Sequence, residues 1–317
     1  MGCKNCSCIG EGQIPNDEED MEVIDMEESK DHQIHKYSKK CMSLEIPELE
    51  KHRSSAVTSS SEHVRIAEER LHTFEFDSND LYTDDLCLTE KILNGCVFVG
   101  QKDQLGRRHG RGIFLWEDGS KYIGYWNSDK ANGFGRLVHS DGDVYEGMWK
   151  NDKAHGKGKY IHFNGAVYEG DWVDDQQDGM GIEKWCDGAY YIGSYKQGKK
   201  HGYGEFNWGD GSVFRGEFKN NRIEGQGTYI WKDNRKFTGM WKDNKMHGQG
   251  VFEWPDGRSY KGEYVNDKKE GFGEFYWPSG KVFKGHWKNG KHHGSGVITG
   301  PDRTLLSGEW INGNRVH

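Results

Sequence analysis

The chain has 317 residues, 33% hydrophobic and 13% aromatic, with 45 glycines and a formal net charge of −8. Residues 1–93 carry 10 basic and 22 acidic side chains, so the rest is mildly basic, a balance that argues against nucleic acid as a partner. No apolar run approaches the ~20 residues of a membrane span. The seven cysteines, three of them among the first eight residues, lack an extracellular disulfide spacing, so an intracellular chain without disulfides is expected.

Residues 1–8, MGCKNCSC, are the first element. Gly2 stands at the acceptor position for N-myristoylation, and Cys3, Cys6 and Cys8 are candidates for S-palmitoylation beside it. One acyl chain holds a protein only marginally at a membrane; two make a stable anchor. A zinc site built from these cysteines would lack a clear fourth ligand nearby, and no metal or other cofactor is expected. Residues 9–61 form an acidic, Ser-rich linker with few large apolar residues, the composition of a disordered spacer.

A helical capping region is expected over 62–95. Val64, Ala67 and Leu71 recur at helical spacing and predict a helix from Glu62 to Arg70. A second helix is predicted from about Asp84 to Leu93, on Leu86, Leu88, Ile92 and Leu93, where it would cover the first sheet edge.

From residue 96 to 317 one pattern repeats. An aromatic-x-Gly-x-aromatic element starts at Tyr122, Tyr145, Tyr168, Tyr191, Phe214, Phe237, Tyr260 and Phe283, always 23 residues apart, and a Gly-x-Gly pair follows each start. The alternation predicts a strand. Pairs such as Asn151-Asp152 and Asn289-Gly290 then predict two-residue type I′ turns, because these residues tolerate positive φ. A second strand leads to an Asp-Gly or Asn-Gly turn and the next copy. The expectation is all-β: an elongated single-layer antiparallel meander of about nine hairpins. The glycines are expected to leave room for neighbouring rings.

These residues resemble the MORN repeat (membrane occupation and recognition nexus), with the pattern Y-x-G-x-W-x-x-G-K-x-H-G-x-G; Tyr191 to Gly204, YIGSYKQGKKHGYG, is similar throughout. Such arrays occur in junctophilins, plant phosphatidylinositol-4-phosphate 5-kinases, radial-spoke proteins, parasite cytoskeletal scaffolds and a SET-class methyltransferase. Residues 1–93 are too short and polar for a kinase or SET domain, so no enzyme is expected. MGCxxC resembles the amino-terminus of Src-family kinases that carry both lipids, except that Cys6 stands where a small hydroxyl residue is usual.

Three further features bear on function. A basic edge is expected from Lys130, Lys153, Lys199, Arg222, Lys245, Lys268 and Lys291, each just after a type I′ turn. It suits acidic partners or phosphoinositide headgroups; the plainer reading, that these cations only keep the turns soluble and block edge pairing, stands beside it. The aromatic face should leave a groove of partly exposed rings, centred on Trp172, Trp185, Trp208, Trp231 and Trp241, and the family resemblance implies an amphipathic helix there. The residue before each Gly-x-Gly alternates His109, Asn132, His155, Asp178, His201, Glu224, His247, Glu270, His293; successive histidines lie too far apart to share a metal.

The leading expectation is therefore a non-enzymatic, lipid-tethered scaffold on the cytoplasmic side of a membrane, with a helical or cytoskeletal protein partner. The alternative is a structural component of a cilium or cortical cytoskeleton without lipid anchoring.

Overall fold

In one hairpin, Val144–Lys150 runs antiparallel to Lys153–Ile161, with Tyr145 opposite Tyr160 and Gly147 opposite Gly158. Asn151 and Asp152, at φ 51° and 67°, make the predicted turn of positive-φ residues. The computed structural model describes residues 59–78, 80, 88–91 and 95–317. Segment 1–8 and nearly all of the linker 9–61 lie outside them.

The described chain forms two units that divide after Asn221. The first contains helix α1 (Glu62–Arg70) and strands β1 (Leu88–Lys91), β2 (Val97–Lys102), β3 (Arg108–Leu115), β4 (Lys121–Asn127), β5 (Lys130–Val138), β6 (Val144–Lys150), β7 (Lys153–Ile161), β8 (Val167–Val173), β9 (Gln176–Lys184), β10 (Tyr190–Lys196), β11 (Lys199–Asn207) and β12 (Val213–Lys219). The second contains β13 (Arg222–Ile230), β14 (Lys236–Lys242), β15 (Lys245–Glu253), β16 (Ser259–Val265), β17 (Lys268–Tyr276), β18 (Val282–Lys288), β19 (Lys291–Thr299), β20 (Leu305–Ile311) and β21 (Asn314–Arg315). Within each unit, successive strands pair antiparallel as a single-layer meander.

One face of this layer is its own core. Tyr145 stands edge-on between Trp149 of its own hairpin (5.0 Å between centroids) and Trp172 of the next (5.2 Å). Tyr122, Tyr168, Tyr191 and, in the second unit, Phe237 and Tyr260 repeat the arrangement with Trp, Tyr or Phe neighbours. Edge-to-face contacts suit the ring quadrupoles. In this hairpin the polar ends are satisfied: Tyr145 Oη donates to Met148 O at 2.9 Å and Trp149 Nε1 to Gly135 O at 3.1 Å.

The glycines divide between two tasks. A Cβ at Gly135 would lie 2.6 Å from Tyr122 Cζ, so the second glycine of Gly-x-Gly makes room for a ring, as expected. The first glycine does something else. Between Gly147 and Trp149 the register shifts, and Gly156 takes φ +80° in the opposing strand, so this glycine serves a β-bulge.

Of the two predicted helices, α1 forms with the expected bounds. Ser61 caps it by accepting the Val64 amide, and Val64 and Ala67 pack on Val138 and Val144. The second does not. Leu88–Lys91 is a strand paired antiparallel with β2, Leu88 opposite Gly100. An open sheet edge offers unpaired backbone groups, and pairing with them outweighs the weak helical spacing of the leucines. The sheet edge is thus covered by a strand.

Candidate functional site

The alternation of each strand puts a second, different set of side chains on the face opposite the rings. Its cross-strand pairs include Arg111 with Tyr125, Phe134 with Met148 and Arg136 with Glu146. The chain covers the two arginines itself, while Phe134 and Met148 keep 38% and 43% exposure. After α1, residues 72–78 and Asp80 lie across the face as an irregular strap. Phe74 stacks on Phe134 at 5.6 Å and Phe76 meets Tyr125 edge-on at 5.4 Å. The guanidinium carbons of Arg136 and Arg111 lie 5.5 and 5.2 Å from the centres of these two Phe rings. Arg111 forms a bidentate pair with Asp80, Nε to Oδ2 at 2.9 Å and Nη2 to Oδ1 at 2.8 Å. The Tyr125 hydroxyl also donates to Asp80; burial first, and that hydrogen bond second, raise its pKa above the ordinary tyrosine value.

Further along the first unit the same face is open. Met180 and Ile182 on β9, Ile192 on β10 and Tyr203 on β11 are exposed, Tyr203 by 65% and Met180 by 54%. Ile182 lies opposite Ile192, so they form a contiguous apolar patch. In the repeat register Met180 and Ile182 stand where Phe134 and Arg136 stand two copies earlier.

The five tryptophans expected to line a groove lie on the ring face. Trp172, Trp231 and Trp241 are buried, and Trp185 and Trp208 are half-buried. The rings close on each other more fully than a bare single layer suggests, with Trp172 edge-on to both Tyr145 and Tyr168 and Trp241 edge-on to Phe237. The large open side chains lie on the other face.

The cations expected along a basic edge each follow a tight turn in their own unit. Lys130, Lys153 and Lys199 in the first unit, and Arg222, Lys245 and Lys268 in the second, are exposed; Lys291 is half-buried. In four turns two lysines face each other directly: Lys150 with Lys153, Lys196 with Lys199, Lys242 with Lys245 and Lys288 with Lys291. Like charges in that position repel. Beside the second pair lies a shallow cavity of about 620 Å³ lined by Gln176, Lys196, Gln197, Lys199, His201 and Asn220. Asp178, close by, is engaged by the Gln197 amide.

The histidine alternation has a structural role in its acidic copies. Asp178, Glu224 and Glu270 each accept the first amide of the following type I′ turn, from Gln197, Asp243 and Asn289. His155, His201, His247 and His293 fill the same register, with Nδ1 buried and not hydrogen-bonded. Among the described residues no three His, Cys, Asp or Glu side chains group as metal ligands, and no helix is long and apolar enough to cross a membrane. A histidine sits within the ring face, in the register that Lys200 and Lys269 hold in other copies: His292, against Phe283 and Trp287, has its pKa pushed down to about 3 by burial, with Lys269 and Lys281 adding to the effect.

The family model that matches is the MORN repeat, over residues 104–121, 122–144, 145–167, 168–190, 191–213, 214–234, 237–257, 260–282 and 283–304. No curated protein matches the chain. Among solved structures it is similar to the TCP10 domain of Danio rerio CPAP, at 10% identity over 70% of this chain and 99% of that one, with a TM-score of 0.35. It is also similar to the TCP domain of Drosophila melanogaster SAS-4 in complex with a proline-rich motif of Ana2, at 12% identity over 61% of this chain and 99% of that one, with a TM-score of 0.31. Superpositions this loose carry nothing about function.

Proposed function

The chain belongs to the MORN repeat family, and from that premise we propose that it is a non-enzymatic scaffold, tethered to the cytoplasmic side of a membrane by acyl chains on Gly2 and Cys3, that docks a protein partner. The observation that carries the docking role is the division of the layer into a closed ring face and an opposite face whose large apolar side chains, Met180, Ile182, Ile192 and Tyr203, are left open. Exposed apolar patches of this kind mark partner sites. Trp185 and Trp208, half-exposed at the rim of the ring face, are secondary contacts. A helical partner suits either surface, since α1 already packs on the open-type face through Val64 and Ala67.

The membrane role rests on the first eight residues and is supported by the facing lysine pairs, whose repulsion an anionic lipid surface would relieve. Cys6 and Cys8 are further acylation positions. The test is fractionation of the full-length protein from its own cell. Gly2→Ala should move it to the soluble fraction and Cys3→Ser should release part of it. Full retention of Gly2→Ala on membranes would place the anchor in the array instead.

A further inference from the structure

Nothing in the 23-residue pattern requires the strap of residues 72–78 and Asp80. Arg111 and Arg136 have side chains only 7% exposed, and the strap supplies their cover. Arg111 Nη2 also donates to Asp77 O at 2.8 Å, and the Asp77 amide donates to Tyr125 Oη at 2.9 Å. Arg136 Nη1 donates to His72 O at 2.8 Å, its Nη2 lies 3.0 Å from His72 Nε2, and it pairs with Glu146. The layer therefore holds two adjacent sockets, Arg136 with Phe134 and Arg111 with Tyr125. They take two aromatic rings spaced two residues apart, and a carboxylate four residues beyond the second ring.

Three observations show how this cover is attached. The hydrogen bonds that His72, Asp77 and Asp80 make to Arg111, Tyr125 and Arg136 each have a side chain as one partner, and the strands beneath pair with one another. Phe74 and Phe76 are only half-buried and Asp77 is exposed. The anchor lies elsewhere: Val64 is 0% and Ala67 5% exposed in α1, Ser59 Oγ donates to Gly119 O at 2.6 Å and Ser61 Oγ to Ser140 O at 2.9 Å. Residues 72–78 and Asp80 can leave while α1 remains seated. The arginines exposed in this way would be hydrated, which spares them the cost of a buried unpaired charge.

We propose that the double socket of Arg111, Tyr125, Phe134 and Arg136 is a recognition site for an extended acidic peptide segment of a partner protein, aromatic-x-aromatic with a following carboxylate, and that the strap is its resident competitor. The resident defines the chemistry: residues 71–80, LHTFEFDSND, carry Glu75, Asp77 and Asp80 and no lysine or arginine. Arg111 fixes register, because its planar fork demands a carboxylate at one place. The rings supply apolar area and the stacking on Phe134 and Tyr125. An incoming segment must displace the strap, so the site is masked in the resting protein. The inference deepens the scaffold reading and depends on it only in that a partner docks.

The experiment uses a fluorescein-labelled synthetic peptide of sequence LHTFEFDSND and the full-length chain. Fluorescence anisotropy is measured against the wild type, against a strap variant carrying Phe74→Ala, Phe76→Ala and Asp80→Asn, and against that variant with Arg111→Ala added. Binding to the strap variant should be at least ten-fold tighter than to the wild type, and Arg111→Ala should remove at least ten-fold again. No binding to a strap variant whose circular dichroism matches the wild type overturns the proposal, and so does equal binding to the wild type. If the strap variant does not fold, hydrogen–deuterium exchange on the wild type decides. Excess peptide should speed exchange in residues 72–78, and unchanged exchange overturns the proposal. Neither failure touches the acylation test, which reads membrane attachment through Gly2.

Discussion

On the ring face each copy buries itself by one device, a Tyr or Phe laid over glycine between two other rings, as at Tyr122, Tyr145 and Tyr168 in the first unit. On the opposite face no two neighbouring copies carry the same cross-strand pair: Arg111 with Tyr125, Phe134 with Met148, Lys157 with Asp171, Met180 with Ser194, Tyr203 with Glu217. A face repeated without variation is one that every copy needs in order to fold. The varied face is where this chain differs from a generic array, and it is there that the strap lies and the open patch begins. Repeat arrays draw their stability from each copy and its neighbours, so substitutions on the two faces should have different kinds of consequence.

The largest effect is expected on the ring face. Trp172→Ala removes a 3%-exposed ring that supports both Tyr145 and Tyr168, and should cost ~3–5 kcal/mol, read by chemical denaturation of the full-length chain. A loss below about 1 kcal/mol would break the comparison, since the ring face would then not be the core.

A pH effect of intermediate size should come from His292, which occupies on this face the place that Ala154 and Met246 hold in other copies. Its folded pKa of about 3 lies below the ordinary 6.5, so the folded state holds it neutral while the unfolded state takes up a proton as pH falls. Its contribution is fully present above about pH 6.5 and is lost progressively towards pH 3. At about 1.4 kcal/mol per pH unit, the loss by pH 4.5 is on the order of 2–3 kcal/mol for the unit from Arg222 onward. His292→Met should flatten that dependence in denaturation curves taken from pH 7 to 4.5; an unchanged slope would assign it to other groups.

The smallest stability effect is expected on the open face. Tyr203→Ser should leave the denaturation midpoint within about 0.5 kcal/mol of the wild type, because its ring is 65% exposed. A larger loss would mean that the patch is part of the core.

Much of the fold was legible from residue order. The 23-residue period, the alternation within Tyr145-Glu-Gly-Met-Trp149 and the positive-φ pairs give the hairpins and their turns, and Val64, Ala67 and Leu71 give α1. Leu88–Lys91 was misread because it falls within a stretch, from about Asp84 to Leu93, whose Leu86, Leu88, Ile92 and Leu93 suit a helix, whereas the unpaired edge of β2 decides the matter and is visible only in three dimensions. The strap was missed for a related reason. His72 to Asp80 has no period, and its meaning depends on Arg111 and Arg136, some 30 to 60 residues away. A local signal existed: Arg111 places a long cation inside Gly-x-Gly, where the next copy has Phe134. The weight given to the tryptophan row came from counting rings without counting the ring neighbours that bury Trp172, Trp231 and Trp241.

The claim that the face opposite the rings is the working surface can be tested directly by crosslinking in the cell. A photo-crosslinking amino acid is placed in the full-length chain at position 203 or 192 on the open face, and at 185 or 208 on the ring face. The account predicts a discrete protein adduct from 203 and 192, with 185 and 208 giving weaker or no adduct. An adduct from 185 and 208 with none from 203 and 192 would contradict it and return partner docking to the tryptophan row.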